Sequence, residues 1–399
     1  MSDASVLFAR YMLDGNYAAA ERICRIRLRS DPADALSLAC LALVARNIGR
    51  LDYERLFLSK MASPFGDQYR PMTPIDQIVP PVDASLARRY LIVTPRGCGL
   101  WSDFASVVGA YILAWCTNRV PIVSWRHGCQ YNDDGTHDAF TDFFEPLSDA
   151  SIEDLTDPTL RFDPPDWTYD TLFQVLPWRM EQNRILQHLS SQADVTICRD
   201  YVSPFLALDW AISSTAPAAS EKKLLLANIY ERVARPVTAI RDEIASFVSN
   251  APGSGSLAAL HLRGTDKFKE DPDSFETSLG SLAEAEQSPF NRIFVMSDDG
   301  SWIERARQRL GDRMITRPSQ RSSGSVGLHY AQLDGTRRAL GVDIVVETMV
   351  AVEADSFYGS GRSNVSATIA LLRSARQKSS CLSGDNNLLN DNDWGLTPW

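Results

Sequence analysis

The chain has 399 residues, 44% hydrophobic and 23% charged, with 40 Lys plus Arg against 50 Asp plus Glu for a net charge of −10. This composition fits a globular protein of two or three domains and excludes wholesale disorder, collagen and a small disulfide scaffold. The acidic balance gives no general pull toward nucleic acid or an anionic membrane, so any anionic ligand must be held by locally concentrated positive charge.

The seven cysteines are scattered, and none forms a CxxC pair. The five histidines show no HExxH or other ligand spacing. The sequence thus signals neither a disulfide framework nor a zinc site, and no metal is expected. The start, MSDASVLFAR, lacks the basic-then-apolar order of a signal peptide. The most apolar stretch, Val107–Trp125, is interrupted by Asn118 and Arg119, and no run is long enough to span a bilayer. A reducing cytoplasm is the expected compartment.

Residues 1–62 read as helical. A shift of about 34 residues, the tetratricopeptide period, sets Gly15 on Gly49 and Tyr17 on Leu51, with Pro32 where a repeat's second helix ends. The Gly15, Tyr17, Ala20 pattern resembles the helix-turn-helix of that repeat. Barely one and a half repeats cannot bury their own faces. The segment is therefore either a partner-binding or self-associating module or a helical hairpin packed on the main body. Residues 63–89 follow as a linker, marked by Pro64, Pro71, Pro74, Pro80 and Pro81.

From residue 90 the pattern turns to alternating strands and helices. Tyr90–Thr94 is a strand, 102–117 an amphipathic helix and Val120–Trp125 a second strand, which favours a parallel α/β sheet. Residues 220–249 read as helices. A break at 251, APGSGS, precedes a second alternation: strands at Leu257–Leu262, Arg292–Met296, Arg313–Thr316 and Ser356–Gly359, and helices at Trp302–Leu310, Thr336–Ala354 and Ser363–Arg376. The expected architecture is two Rossmann-type halves, 90–250 and 251–376, facing a cleft, with a polar tail over 377–399. Ligands in such folds sit beyond the carboxyl ends of the strands.

Three strand-end loops carry chemistry. His261-Leu262-Arg263-Gly264-Thr265-Asp266-Lys267 offers an arginine fork for phosphate; the alternative is a structural ion pair. Ser297-Asp298-Asp299 offers two carboxylates for a sugar, a base or a metal; the alternative is capping of the next helix, expected for at least one of them. Tyr358-Gly359-Ser360-Gly361-Arg362-Ser363-Asn364-Val365-Ser366 is a glycine-rich turn into a helix, an anion cradle that is neither a P-loop nor GxGxxG.

Together these loops resemble the α-1,6-fucosyltransferases, including the rhizobial nodulation enzymes, and the related protein O-fucosyltransferases. Residues 261–267 are similar to that family's HxRRTDK motif, and Ser297-Asp298-Asp299 to its A-T-D-D. Gly327-Leu328-His329 is similar to its G-L-H, and Glu347–Asp355 with Ser360–Ser366 to an acidic helix and Ser-rich loop. Gly97-Cys98-Gly99 and Thr117-Asn118-Arg119 are similar to its C-G-x-G…T-x-R region. The resemblance spans about residues 90–375. It implies a GT-B-like fold, no metal and a GDP-sugar bound in the C-terminal half. By that resemblance Arg263 holds the β-phosphate, His261 and a carboxylate on the long helix contact guanine, and Ser363 contacts phosphate. Lys267, Asp298, Asp299, His329, Asn364, Gly97 and Gly99 join the donor site. The chain departs from the pattern at Gly264, which replaces the second arginine, and at Glu347, which replaces an aspartate. Asp343, one turn away, could serve for the latter, and Arg362 could restore the lost charge. The reaction implied is inverting transfer of fucose to a glycan or other hydroxyl acceptor, with Asp266, Glu270 or Asp271 as base. Three alternatives stay open: another donor such as GDP-mannose, a metal-dependent enzyme using Asp271-Pro272-Asp273, and an idle scaffold. Trp101, Trp125, Trp167 and Tyr131 are candidates for stacking on an acceptor sugar, the alternative being core packing.

Overall fold

The computed structural model describes residues 3–31, 34–50, 53–54, 57, 88–174, 185–211, 219–250, 255–265, 273–322, 327–331, 335–361 and 363–383. Three helices open the chain: α1 (Asp3–Leu13), α2 (Tyr17–Ser30) and α3 (Ala35–Asn47). Gly15 and Gly49, matched by the repeat shift, both turn at positive φ, +69° and +77°, where glycine meets no Cβ penalty. Asn16 caps α2 by accepting from the Ala19 N–H. Buried side chains of these helices share one core with Trp101 and Phe104, and Arg50 donates to the Leu189 carbonyl at 3.3 Å. The helical front is packed on the body of the protein, the second of the two readings left open. The proline-rich linker falls mostly on residues 58–87, outside the described residues.

The first sheet contains β1 (Tyr90–Val93), β2 (Val120–Val123), β3 (Phe162–Asp163) and β4 (Val195–Cys198), parallel throughout in the order β2-β1-β4-β3. Helix α4 (Leu100–Cys116) joins β1 to β2. Short helices α5 (Phe140–Phe143), α6 (Ile185–Ser190) and α7 (Pro204–Ala211) follow, then α8 (Ala219–Val233) and α9 (Thr238–Asn250). The sequence reading missed β3 and β4. The four residues VTIC are too short to show a period, and only pairing with β1 makes them a central strand.

The second sheet contains β5 (Leu257–Leu262), β6 (Arg292–Ser297), β7 (Met314–Ile315), β8 (Ser356–Ser360) and β9 (Cys381–Ser383), parallel in the order β7-β6-β5-β8-β9. Its helices are α10 (Ser274–Gln287), α11 (Gly300–Leu310), α12 (Arg337–Glu353) and α13 (Asn364–Ala375). The fold is α/β, with two parallel Rossmann-type sheets behind an all-α front.

Two expectations about boundaries need correction. Helices α8 and α9 precede residue 251, yet α8 packs on α13 and α9 on α12. Phe247 of α9 stacks edge-on against Phe294 of β6, with ring centroids 5.2 Å apart. Apolar faces exposed by one half are thus covered by the other. The stretch expected as a polar tail from 377 begins with β9, which joins the second sheet beside β8; residues 384–399 lie outside the described residues.

Two buried arginines brace the sheets. Arg119 donates to the carbonyls of Tyr90, Asp194, Ser191 and Ala193. Arg373 donates to those of Ala351, Val352, Ala354, Asp355 and Ser379. Both gather carbonyls at the ends of helices and strands around one buried cation.

Candidate functional site

In the second sheet the chain runs outward from β5 to β6 and β7, then returns to the other flank of β5 as β8 and β9. Between β5 and β8 the winding reverses, and the crevice beyond their carboxyl ends is where an open α/β sheet receives a ligand. The first loop at this crevice carries Arg263, Gly264 and Thr265; the second leads from Ser360 into α13.

Asp298, at the end of β6, organises the first loop. Its carboxylate accepts from the Arg263 guanidinium, from the Gly264 N–H at 2.9 Å and from the Thr265 hydroxyl at 2.8 Å. The Ser278 hydroxyl of α10 donates to the Arg263 carbonyl at 3.1 Å. Thr265 is held at φ +54°, an uncommon conformation for a β-branched residue. Asp298 is thus the anchor of the arginine loop. Asp299 is the N-cap of α11, accepting from the Ser301 N–H at 2.8 Å, so the capping alternative holds for it.

His261 and Ser366 join the two flanks of the crevice. Nδ1 of His261 lies 2.7 Å from the Ser366 hydroxyl on α13. Burial lowers the His261 pKa to about 4, so the ring is neutral at ordinary pH. The histidine expected to contact a base is 3% exposed and fastens one flank to the other.

The second loop is only partly the glycine cradle expected. Gly359 and Ser360 belong to β8. The Gly361 N–H donates to the Ser383 carbonyl at 3.1 Å and is therefore spent on β9. The Ser360 hydroxyl lies 3.2 Å from that of Thr277 on α10. Ser363 stands at the N-cap of α13 without a side-chain cap bond, so the anion-attracting end that remains is the first turn of α13, with half-buried Asn364.

The long helix α12 presents its acids to two arginines that the sequence reading passed over. Glu347 accepts from Arg321 at 2.6 Å and from the Ser319 hydroxyl at 2.5 Å. Asp343 accepts from Arg317 at 3.4 Å, and burial raises its pKa against the pull of that arginine. The carboxylates expected at a guanine ring are thus on one face, as the spacing implied, but each holds an arginine. Arg317 and Arg321 follow the short strand β7, and the strand-end rule applied there would have found them.

The other half meets the crevice through the loop after β1. Gly97 turns at φ +80°, and Gly99 is the N-cap of α4. The Tyr330 hydroxyl, beside His329 in the turn Leu328–Tyr330, donates to the Gly97 carbonyl at 3.4 Å. Asp133 accepts the Arg337 N–H at the start of α12 at 2.7 Å, and the indole N–H of Trp101 donates to Thr348 at 2.9 Å. The aromatic candidates for sugar stacking are mostly core. Trp101 and Trp125 are 2% and 1% exposed, Tyr131 accepts from the Leu100 N–H, and Trp167 packs against the core on the other face of the first sheet. Asp266, Lys267, Glu270, Asp271 and Arg362 lie outside the described residues.

A cavity of about 190 Å³ lies elsewhere, at the β2 edge of the first sheet, lined among others by Val123, Arg126, Asp138 and Glu153. It touches none of the crevice residues. The winding reversal and the charged loops, rather than this cavity, locate the candidate site. Among the described residues no helix is long and apolar enough to cross a membrane.

No protein-family model matches the chain, and no curated protein matches it. Among solved structures, the NodZ α-1,6-fucosyltransferase soaked with GDP-fucose is similar with a TM-score of 0.48 at 15% identity, over 72% of this chain and 93% of that one. The fucosyltransferase NodZ from Bradyrhizobium is similar with 0.47 at 16%, over 73% and 93%. POFUT1 in complex with GDP-fucose is similar with 0.48 at 12%, over 76% and 99%. At these identities no residue role transfers from them.

Proposed function

We propose that the crevice between β5 and β8 binds a GDP-sugar and that the protein is an inverting glycosyltransferase, moving fucose to a hydroxyl acceptor. The observation that carries this reading is that two donor-rich ends flank the winding reversal: the loop after β5, whose Arg263 is held by Asp298, and the first turn of α13 after β8, tied to β5 through His261 and Ser366. An arginine fork and a helix N-terminus are both donors suited to a diphosphate. The motif order from His261 to Ser366 supports the donor class.

The chemistry follows from charge. The acceptor oxygen attacks the anomeric carbon as the bond to the β-phosphate oxygen breaks, and the electron pair leaves on GDP. Arg263 and the α13 N–H groups stabilise that growing charge, with Lys267 and Arg362 as further cations. The acceptor proton passes to a carboxylate, Asp266, Glu270 or Asp271. Asp298 keeps Arg263 aligned before the donor arrives, and the Thr265 hydroxyl helps hold Asp298 in place. Neutralisation comes from the protein, so the rate should not depend on added Mg²⁺ or Mn²⁺.

Calorimetric titration with GDP, UDP, GDP-fucose and GDP-mannose tests the reading. GDP should bind and UDP should not, and GDP-fucose should release GDP when acceptor is present. Arg263→Ala should weaken GDP at least tenfold and cut turnover on the order of a hundredfold, while Arg376→Ala, at a surface ion pair with Glu231 and Glu353, changes neither. Unaltered GDP binding in a folded Arg263→Ala protein rejects the phosphate role. Turnover with GDP-mannose in place of GDP-fucose changes the donor.

A further inference from the structure

The first sheet holds a second cluster of chemistry-bearing side chains, on different strands from Arg263. His188 on α6, Cys198 at the end of β4 and Asp200 two residues further on bring an imidazole nitrogen, a thiol sulfur and a carboxylate oxygen within 4.8 Å of one another. The three residues are 2%, 1% and 3% exposed. Nε2 of His188 lies 3.0 Å from Oδ1 of Asp200, and Cys198 is in no disulfide. A buried His–Asp hydrogen bond is ordinary core chemistry, but it needs no thiol as a third vertex.

We propose that His188, Cys198 and Asp200 bind a divalent ion of the zinc class, with water in the fourth position. One sulfur, one nitrogen and one oxygen form the borderline ligand set that favours Zn²⁺ over Ca²⁺ or Mg²⁺. Ligand bonds of about 2.0–2.3 Å in a tetrahedron set donor atoms roughly 3.3–3.6 Å apart. The cluster reaches that with side-chain shifts of about 1 Å. Charge also balances: a thiolate, a carboxylate and a neutral imidazole match a 2+ ion, so the loaded site is neutral in its buried setting. On loading, the Cys198 thiol releases its proton to solvent as the S–metal bond forms, with no change of oxidation state. The expectation of a metal-free protein arose because the ligands do not share one motif. Cys198 ends β4 and Asp200 lies in the bend just after it, whereas His188 arrives from a helix. The ion serves as a clip holding α6 to β4. Its ligand His188 precedes Leu189, whose carbonyl accepts from Arg50, and lies three residues before Ser191, whose carbonyl accepts from Arg119 at 3.0 Å.

The test uses the full chain in a Cys24→Ser/Cys40→Ser background, which removes two helical-front thiols that lie in hydrogen-bond contact with each other. Chelator-treated protein is titrated with Co²⁺ and then Zn²⁺. One equivalent of Co²⁺ should give tetrahedral visible bands and a sulfur-to-cobalt charge-transfer band, both abolished by one equivalent of Zn²⁺, and Zn²⁺ should raise the thermal midpoint. Cys198→Ser should remove the charge-transfer band. Asp200→Asn, which keeps a hydrogen bond to His188, should weaken Zn²⁺ more than about 100-fold, beyond the loss typical of an outer-shell partner. Folded parent protein that shows no cobalt spectrum overturns the site, as does a charge-transfer band that survives Cys198→Ser. If Cys198→Ser fails to fold, the parent spectrum and Asp200→Asn decide.

Discussion

Gly264 stands where the similar motif carries its second arginine, and the structure predicts that this arginine cannot be put back. A Cβ built on Gly264 meets Cβ of Asp299 at 2.4 Å and its Oδ2 at 2.9 Å, where ordinary contacts begin at 3.4 Å. About 1 Å must therefore be made up by moving an atom bonded to the backbone rather than a flexible tip. Overpacking of this kind costs about 1–3 kcal/mol. Asp299 is also the cap of α11, and displacing a cap costs about 1 kcal/mol more. Gly264→Ala should thus lose about 2–4 kcal/mol in urea unfolding, and Gly264→Arg at least as much. Because the Gly264 N–H and Arg263 both lean on Asp298, GDP affinity should fall with stability in each variant. A Gly264→Arg protein as stable as its parent, with tighter GDP binding, would refute the packing argument.

Other expectations follow from buried charge and from contacts between the halves. Arg373→Met leaves five carbonyls around the ends of α12 and α13 without their donor and should cost at least about 4 kcal/mol in denaturant unfolding; a loss under about 1 kcal/mol would show that water replaces the guanidinium. Burial depresses the folded-state pKa of His261 to about 4, below the unfolded value of 6.5. The neutral ring's contribution is therefore complete above pH 6.5 and is lost as pH falls toward 4, about 3 kcal/mol in all. The stability gap between the parent and His261→Asn should shrink by that amount over this window, and a constant gap would mean that the ring protonates without penalty. Asp133→Ala removes the acceptor that the first half offers to the start of α12 and should cost about 0.5–2 kcal/mol. Hydrogen exchange should quicken in the first turn of α12 and stay unchanged in α4; equal protection in both variants would remove Asp133 from the contact.

Much of the framework was legible in the chain. Period and punctuation located β1, α4, β2, β5, β6, α11, α12, β8 and α13, because each is long or strongly apolar and is bounded by turn residues. The strand-end rule then found the Arg263 loop, Asp298 and the start of α13 without knowledge of the sheet order. It failed where strands were too short to carry a period, at β3, β4 and β9; β7 was located, but the loop after it was passed over, and Arg317 and Arg321 with it.

What the chain alone determined was therefore local: which segments alternate, where the loops fall, and that a −10 protein must gather its positive charge to hold any anion. Partnership was decided only by the tertiary structure. Glu347 and Asp343 share a helical face by spacing, but that they face Arg321 and Arg317 depends on how the segment after β7 crosses α12. Asp298 and Asp299 are adjacent and alike in sequence; the strand end turns one to the Arg263 loop and the other to the α11 cap. Trp101, Trp125 and Tyr131 could have been sugar platforms in any linear reading; Trp101 is core because it reaches Thr348 of the second half, and Trp125 and Tyr131 because they pack within the first. Local pattern is set by backbone geometry and side-chain period, whereas the company a charged or aromatic group keeps is set by distant segments that only folding brings within hydrogen-bond reach.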